Sequence, residues 1–225
     1  YRNALRKAAL DGPELLREVE RTLARNDLFF LLVVVLGRRD VNHDWLFARC
    51  REVEAAPNGH LDLWAREHYK STIITYGFTI RDILRDPELT VGIFSYVRSI
   101  ALSFLRQIKE SFETNERLLE LFPEILWENP RRDAPKWSEH DGIIVKRKAN
   151  RKESTVEGWG LVDSQPTSKH FALMVYDDVV DAGAVSSTDM IEKVTRAWET
   201  SRNLTAEGGA TRYIGTRWHH ADTYK

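Results

Sequence analysis

Apolar and polar positions repeat with a helical period near the start of the chain. Between Pro13 and Asn26, leucine and valine recur at helical spacing after a Gly-Pro pair, which predicts an amphipathic helix. The apolar run from Leu28 to Leu36 has nine residues. A helix that spans a bilayer needs roughly 20 apolar residues. We therefore expect this run to be a buried segment that packs against the core.

Short apolar runs of strand length then alternate with segments of helical spacing. In chain order, the predicted elements are a strand Leu61 to Ala65, a helix Lys70 to Leu84, a strand Thr90 to Ser95, and helices Ser99 to Phe112 and Glu116 to Leu121. This alternation predicts an α/β fold with a mostly parallel sheet flanked by helices.

The second half of the chain adds a hairpin, a central strand and a last helix and strand. Phe171 to Tyr176 is the most continuous apolar run of strand length there, so it predicts a central strand. The other predictions are a hairpin at the sheet edge from Ile143 to Lys148 and Thr155 to Gly160, a helix Ser187 to Leu204 capped by Ser186 or Ser187, and, after Gly208-Gly209, a strand Thr211 to Thr216.

Composition narrows the class of protein only modestly. The 225 residues are 42% hydrophobic and 30% charged, enough for one sizeable core, and a single globular domain is expected. The formal net charge of -1 gives no overall field towards nucleic acid or an anionic membrane. The one cysteine, Cys50, excludes an intrachain disulfide framework and a cysteine-based zinc site, as expected in a reducing cytoplasm.

The first candidate site is Lys70-Ser71-Thr72, at the predicted junction of a strand and a helix. In a phosphate-binding loop, the lysine neutralises phosphate charge, the next hydroxyl binds Mg²⁺, and backbone N–H groups surround the phosphates. Trp64 and Tyr69 stand where such a loop usually has glycine, and a positive φ at Tyr69 would be costly. A phosphate loop and an ordinary exposed helix start are both compatible with this segment.

The second candidate is Asp177-Asp178, which ends the predicted central strand. The carboxyl ends of strands in an open α/β sheet are where ligands bind. Asp177 can hold Mg²⁺ there and Asp178 can orient and deprotonate a water. The alternative is that the two acids only end a strand and cap a turn, and the nearby Asp181 competes for either role.

Five segments resemble, in order and spacing, the ATPase domain of tailed-phage large terminases. They are WAREHYKST (Trp64 to Thr72), IFSYVRSIA (Ile93 to Ala101), LFPEILW (Leu121 to Trp127), LMVYDDVV (Leu173 to Val180) and YIGTRWHHADTY (Tyr213 to Tyr224). The resemblance implies a RecA-like, additional-strand P-loop fold over residues 42–225, after an N-terminal helical segment, residues 1–41. It also implies that the C-terminal nuclease domain of such enzymes is absent here.

The resemblance assigns roles to individual residues. That family commonly has a deviant loop of the form Arg-x-x-x-Lys-[Ser/Thr]. Here the nucleotide-binding loop would comprise Ala65, Arg66, Glu67, His68, Tyr69, Lys70, Ser71 and Thr72. Lys70 would bind phosphate, Ser71 would bind Mg²⁺, and Arg66 would reach the γ-phosphate. Asp177 would be the acid of the Mg²⁺ site and Asp178 the catalytic carboxylate, where many relatives use glutamate.

Two further roles are implied beyond the loop and the acids. Thr216 matches the coupling motif that links hydrolysis to movement. A cation from a neighbouring subunit often stabilises the phosphoryl-transfer transition state. Lys169 occupies the position where several relatives place that arginine, and Arg98 is a second candidate; either can instead be a solvated surface cation.

The function implied by the resemblance is an ATP- and Mg²⁺-dependent motor that moves double-stranded viral DNA into a procapsid in the host cytoplasm. Its expected partners are a portal protein and a small terminase subunit, and it would form a ring when assembled, whereas the isolated fragment can be monomeric. Two alternatives remain open: a helicase-like DNA-dependent ATPase, and a non-catalytic assembly protein that holds nucleotide or nothing.

Three other features carry weaker predictions. The basic turn Lys146 to Lys152 can touch DNA phosphates or be a solvated loop. Trp45, beside His43 and Asp44, can stack on adenine or lie in the core. His219, His220 and Asp222 resemble a metal set but fit a linker better.

Overall fold

A seven-stranded sheet organises the chain, and the computed structural model covers residues Tyr1 to Lys225. The strands are β1 (His60–Leu63), β2 (Val91–Ser95), β3 (Trp137–Ser138), β4 (Gly142–Ile143), β5 (Val156–Gly160), β6 (Phe171–Asp177) and β7 (Thr205–Gly215). Their order across the sheet is β1-β7-β6-β2-β5-β4-β3. The pairs from β1 to β5 are parallel, and the β5-β4 and β4-β3 pairs are antiparallel.

Helices flank this sheet, which confirms the predicted α/β class. They are α1 (Arg2–Asp11), α2 (Pro13–Asn26), α3 (Leu28–Phe30), α4 (Asp44–Ala55), α5 (Thr79–Arg85), α6 (Arg98–Thr114), α7 (Glu116–Leu121), α8 (Pro130–Asp133) and α9 (Thr188–Ser201). Two π-helical segments, Leu31–Val35 and Thr72–Phe78, continue α3 and lead into α5, and short 3₁₀ turns lie at Arg39–Val41 and Arg202–Leu204. No helix combines the length and the apolar character needed to cross a membrane.

The strand β6 is central, as its apolar run predicts. It lies between β7 and β2, and its residues contribute alternately to two hydrophobic clusters. Leu173 and Val175 belong to the larger cluster, whereas Met174 and Tyr176 belong to the smaller one, which also includes Val194 of α9. Successive side chains of a strand point to opposite faces. Both faces of the sheet centre are therefore covered.

The N-terminal helices contribute to the larger of these clusters. The helix predicted from Pro13 to Asn26 has those bounds, and most of the run from Leu28 to Leu36 is buried, as predicted, although Val34 is exposed. Leu28 and Leu32 are in the same cluster as Val91 of β2 and Ile214 of β7. The division predicted near residue 41 stays a prediction.

The predicted edge hairpin is wrong in detail. β4 ends at Ile143. The Ile144 N–H still donates to Lys136 O beside β3 at 3.0 Å, but the Ile144 carbonyl accepts from Trp127 Nε1 at 2.8 Å and Lys146 N–H donates to Ile125 O at 2.8 Å, so the chain leaves the sheet after Ile144. β5 lies inside the sheet, parallel to β2, and the edge hairpin is β3-β4. The apolar residues after Ile143 are buried against loops, which periodicity alone does not distinguish from a strand.

The last helix and strand differ from their predicted bounds. Ser187 is the N-cap of α9, where its hydroxyl accepts from the Met190 N–H, and after the α-helix ends at Ser201 a 3₁₀ turn continues to the predicted end at Leu204. β7 begins at Thr205, well before the predicted Thr211, and it includes Gly208 with a φ of 71°. The glycine pair therefore lies in the strand, next to an irregularity in the β6-β7 register.

Candidate functional site

The loop after β1 turns the chain through a left-handed backbone. Glu67 and Tyr69 have φ values of 63° and 62°, in a region that favours glycine. Tyr69 therefore takes the backbone conformation that glycine would otherwise supply. Its partly buried ring packs against the larger hydrophobic cluster, and its carbonyl accepts from Ile73 N–H at 2.9 Å. These contacts offset the strain of about 1–2 kcal/mol for such a residue.

Lys70 connects the start of the following helix with the carboxyl ends of two strands. Its side chain is buried, and its Nζ donates to Thr216 Oγ1 at 2.8 Å. The same Nζ lies 3.5 Å from Asp178 Oδ1, an ion-pair distance longer than an ordinary hydrogen bond. Parallel strands end at the same edge of the sheet, which explains why residues so distant in sequence meet here.

Asp177 accepts hydrogen bonds from two hydroxyl groups on one face of the helix. Ser71 Oγ donates to Asp177 Oδ1 at 3.1 Å, and Thr75 Oγ1 donates to Oδ2. Thr75 was missed from the sequence, although its position four residues after Ser71 places both side chains on the same helical face. Thr72, in contrast, makes no side-chain hydrogen bond. The carboxylate is thus fixed by two hydroxyl groups.

Burial dominates the electrostatics of Asp177. Its side chain is completely buried, which raises its pKa to about 7, and the neighbouring charge of Asp178 acts in the same direction. The hydrogen bonds from Thr75 and Ser71 and the charge of Lys70 lower the pKa but do not cancel the effect of burial. Asp177 therefore changes its protonation near neutral pH.

Asp178 sits at a sharp change of chain direction directly after β6. Its φ is 48°, and its N–H donates to Ile214 O of β7 at 2.9 Å. Its Oδ1 atom is buried without a hydrogen-bond partner, although the side chain as a whole is 41% exposed. Left-handed strain and a buried oxygen without a hydrogen bond both cost free energy, and both are found preferentially at functional sites.

The remaining loop residues are exposed. Arg66 lies with its guanidinium 4.4 Å from the centre of the Trp218 ring and forms no ion pair, so it is not joined to the cluster around Lys70. Ala65, Glu67 and His68 are exposed, and His68 Nδ1 is 2.7 Å from the Arg66 carbonyl. The contact with Trp218, which follows β7, could not be read from local sequence.

Neither predicted trans-acting cation lies in the cluster. Lys169 precedes β6, whereas Asp177 ends it, and β6 alone, from Phe171 to Asp177, spans about 20 Å at roughly 3.3 Å per residue. Its Nζ is 2.6 Å from both oxygens of the buried Glu157 carboxylate. Arg98 donates to His140 O at 2.7 Å and stacks on Trp159. Both cations therefore already have partners within the chain.

The other candidates have mixed outcomes. Trp45 is 44% exposed and lies 5.8 Å from the His68 ring, so its interpretation as a core residue is wrong, and stacking on adenine stays a prediction. Asp181 accepts from Ala184 N–H at 2.9 Å within a turn. In the basic turn, Lys146 and Lys152 donate to the carbonyls of Pro123 and Ser168.

The residues His219, His220 and Asp222 do not point to a common centre. Asp222 accepts backbone N–H groups from Trp218, His219 and Tyr224, so both of its oxygens are already used. No group of three or more His, Cys, Asp or Glu side chains is arranged to hold a metal ion.

The fold and the cluster define an α/β protein with a lysine, two acids and hydroxyl groups at the carboxyl edge of its sheet. No protein-family model matches the chain, and no curated protein matches it.

Proposed function

We propose that this chain is the ATPase motor domain of a tailed-phage large terminase, which couples ATP hydrolysis to movement of double-stranded DNA into a procapsid. One observation carries the proposal: Lys70 Nζ, at the start of the helix after β1, bonds to Thr216 after β7 and lies beside Asp178 after β6. A phosphate-binding cation, a catalytic carboxylate and a coupling hydroxyl would be close together in such a motor.

The order of the strands also supports a motor of the additional-strand P-loop class. β7 lies between β1, which leads into the lysine-containing loop, and β6, which ends in the two acids. The additional-strand P-loop class, to which RecA-like motors belong, is expected to have one strand between these two. Thr216 follows that intervening strand directly, as a residue that senses the phosphate would.

The oxygen atoms beside Lys70 fit a magnesium ion. Ser71 Oγ and the Asp177 carboxylate are hard ligands, and in phosphoryl-transfer sites Mg²⁺ usually binds one or two carboxylates together with phosphate oxygens and water. The hydrogen bond between Ser71 and Asp177 holds both groups side by side. Bound Mg²⁺ would neutralise part of the phosphate charge.

Each side chain then has a physical role in hydrolysis. Lys70 binds the phosphates, and Asp178, whose Oδ1 accepts no hydrogen bond, accepts a proton from the attacking water. Arg66 leaves the Trp218 ring to reach the γ-phosphate. When Lys70 turns towards phosphate, its bond to Thr216 weakens, and β7 thereby responds to the presence of nucleotide.

Equilibrium binding of ATP with Mg²⁺ tests the proposal directly. We expect the folded protein to bind ATP and Lys70→Ala to weaken binding at least about tenfold, because a charge-assisted bond is worth about 1.5–3 kcal/mol. Lys193→Ala is the matched control, since Lys193 is exposed on α9 without a polar partner. A correctly folded protein that binds no ATP contradicts the proposal.

Two functional assays separate the motor from its alternatives. A helicase-like ATPase would separate the strands of a forked duplex, whereas a packaging motor would translocate on an intact duplex. A non-catalytic assembly protein would bind portal or small terminase equally well after Lys70→Ala and Asp178→Ala. Slow turnover by the isolated domain does not contradict a motor, because a neighbouring subunit can supply a required cation.

A further inference from the structure

Residues 216–225, the terminal turn, fold back on the strand that they follow. Asp222 organises this turn: its Oδ2 accepts from the N–H groups of Trp218 and His219 at 3.0 and 3.1 Å, and its Oδ1 accepts from Tyr224 N–H at 3.1 Å. Arg217 donates to the Tyr224 carbonyl at 2.9 Å. Tyr224 is thus held in a defined position.

That position is directly against Gly215, the last residue of β7. A Cβ atom at Gly215 would lie 2.3 Å from Tyr224 Oη and 2.4 Å from its Cζ, so only glycine leaves room for the phenol. The neighbours of Gly215 bind the proposed catalytic groups. Ile214 O accepts the Asp178 N–H, and Thr216 Oγ1 accepts from Lys70. The phenol therefore lies beside the backbone that joins these two contacts.

The hydroxyl group of Tyr224 is buried and has no hydrogen-bond partner, and Asp178 Oδ1 also lacks a hydrogen bond, although it lies 3.5 Å from the charged Lys70 Nζ. Unpaired buried polar groups are rare because each is costly. Burial, followed by the charge of Asp178, raises the pKa of Tyr224, so the group remains a phenol and can donate. A donor without a partner and an acceptor held only by the long Lys70 contact are therefore found at the same edge of the sheet, and the acceptor loses that contact when Lys70 turns towards phosphate.

We propose that Tyr224 is a positioning residue for Asp178: its O–H donates to the Asp178 carboxylate when the site closes around a nucleotide, and holds that carboxylate towards the attacking water. The inference rests on the proposed ATPase function. Tyr224 acts through Asp178 and does not itself accept the proton of the water.

The test removes only the hydroxyl group. We expect Tyr224→Phe to lower the single-turnover rate of ATP hydrolysis about tenfold while ATP affinity stays within about twofold, since the new bond forms only in the closed site. The thermal stability of the nucleotide-free variant should be unchanged or higher, because the lost hydroxyl had no partner. Tyr213→Phe is the control, because Tyr213 is on β7, the strand against which Tyr224 packs, and its hydroxyl makes no hydrogen bond to the cluster.

A second measurement does not depend on turnover. ADP with aluminium fluoride mimics the transition state, and its gain in affinity over ADP alone should be about tenfold smaller in Tyr224→Phe than in the wild type. The inference is overturned if the rate and this gain are unchanged, or if the variant is destabilised in proportion to its lost activity. If the wild type binds no ATP, the proposed function fails and this inference fails with it; normal binding with an unaffected Tyr224→Phe overturns the inference alone.

Discussion

Replacing Thr75 by valine tests how the buried carboxylate of Asp177 is held. Valine has nearly the same shape, so the substitution removes a hydroxyl group with little change in packing. Thr75 and Asp177 are both completely buried, and water therefore cannot replace the lost donor. A hydrogen bond to a charged group contributes about 1.5–3 kcal/mol. We expect the free energy of unfolding to fall by about 2 kcal/mol at pH 8, where Asp177 is mostly ionised.

The cost should depend on pH with a definite sign. The Thr75 hydrogen bond lowers the pKa of Asp177 against the larger effect of burial, so its removal raises that pKa further above about 7. A carboxyl group with a raised pKa favours the folded state at low pH, and this contribution is lost as the pH rises through the pKa of the folded state. Thr75→Val should therefore cost less at pH 5 than at pH 8.

Thr79 offers a matched control for this experiment. It lies four residues further along the same helical segment, it is also completely buried, and its hydroxyl group has no partner. Thr79→Val should be neutral or slightly stabilising, by up to about 1 kcal/mol. Urea unfolding of both variants without nucleotide at pH 5 and pH 8 gives the comparison. Equal effects of the two substitutions, or a Thr75→Val effect independent of pH, would refute the reasoning.

Three further predictions use the same unfolding assay. Asp177→Asn should stabilise the nucleotide-free protein at pH 8 by up to about 4 kcal/mol, because burial raises the pKa of Asp177 from 3.8 to about 7 and each pKa unit corresponds to about 1.36 kcal/mol. The gain should vanish below pH 4, and a gain independent of pH would contradict this reasoning. Glu67→Gly should raise the free energy of unfolding by about 1 kcal/mol, because the Glu67 backbone is left-handed and its side chain is exposed and without a partner. Glu67→Ala, which keeps the backbone strain, is the control. Lys169→Met should destabilise by about 3 kcal/mol, since it removes the ion-pair partner of the buried Glu157 carboxylate and leaves only the hydrogen bonds from Ser154 N–H and Trp159 Nε1. An unchanged stability would indicate a free cation instead.

The parts of the site that follow from strand order were predictable from sequence. A continuous apolar run identified β6 as central, and in a parallel sheet its terminal acids must lie at the same edge as the residues after β1. Lys70, Ser71 and Asp177 are predicted from their positions at the ends of elements, whereas Thr216 is implied only by the resemblance; the structure brings all four together. Neither the loop nor the acids carried the prediction alone, and their pairing did.

Contacts between segments without periodic patterns were not predictable. The pairing of Arg66 with Trp218 and the position of Tyr224 depend on how residues 216–225 fold around Asp222, which no local pattern encodes. The end of β4 at Ile143 has the same cause, because buried residues in a loop and in a strand are equally apolar. Long-range packing decided these cases.

Tyr69 gives the loop before Lys70 a left-handed backbone conformation without a glycine. The left-handed φ of 62° at Tyr69 costs free energy, and a flexible loop would relax to avoid it. The ring of Tyr69 packs against the larger hydrophobic cluster, so relaxation would expose apolar surface to water. Glycine permits this conformation, whereas a packed tyrosine enforces it. Under the proposed function, a loop that packing holds in this conformation needs less ordering when phosphate binds.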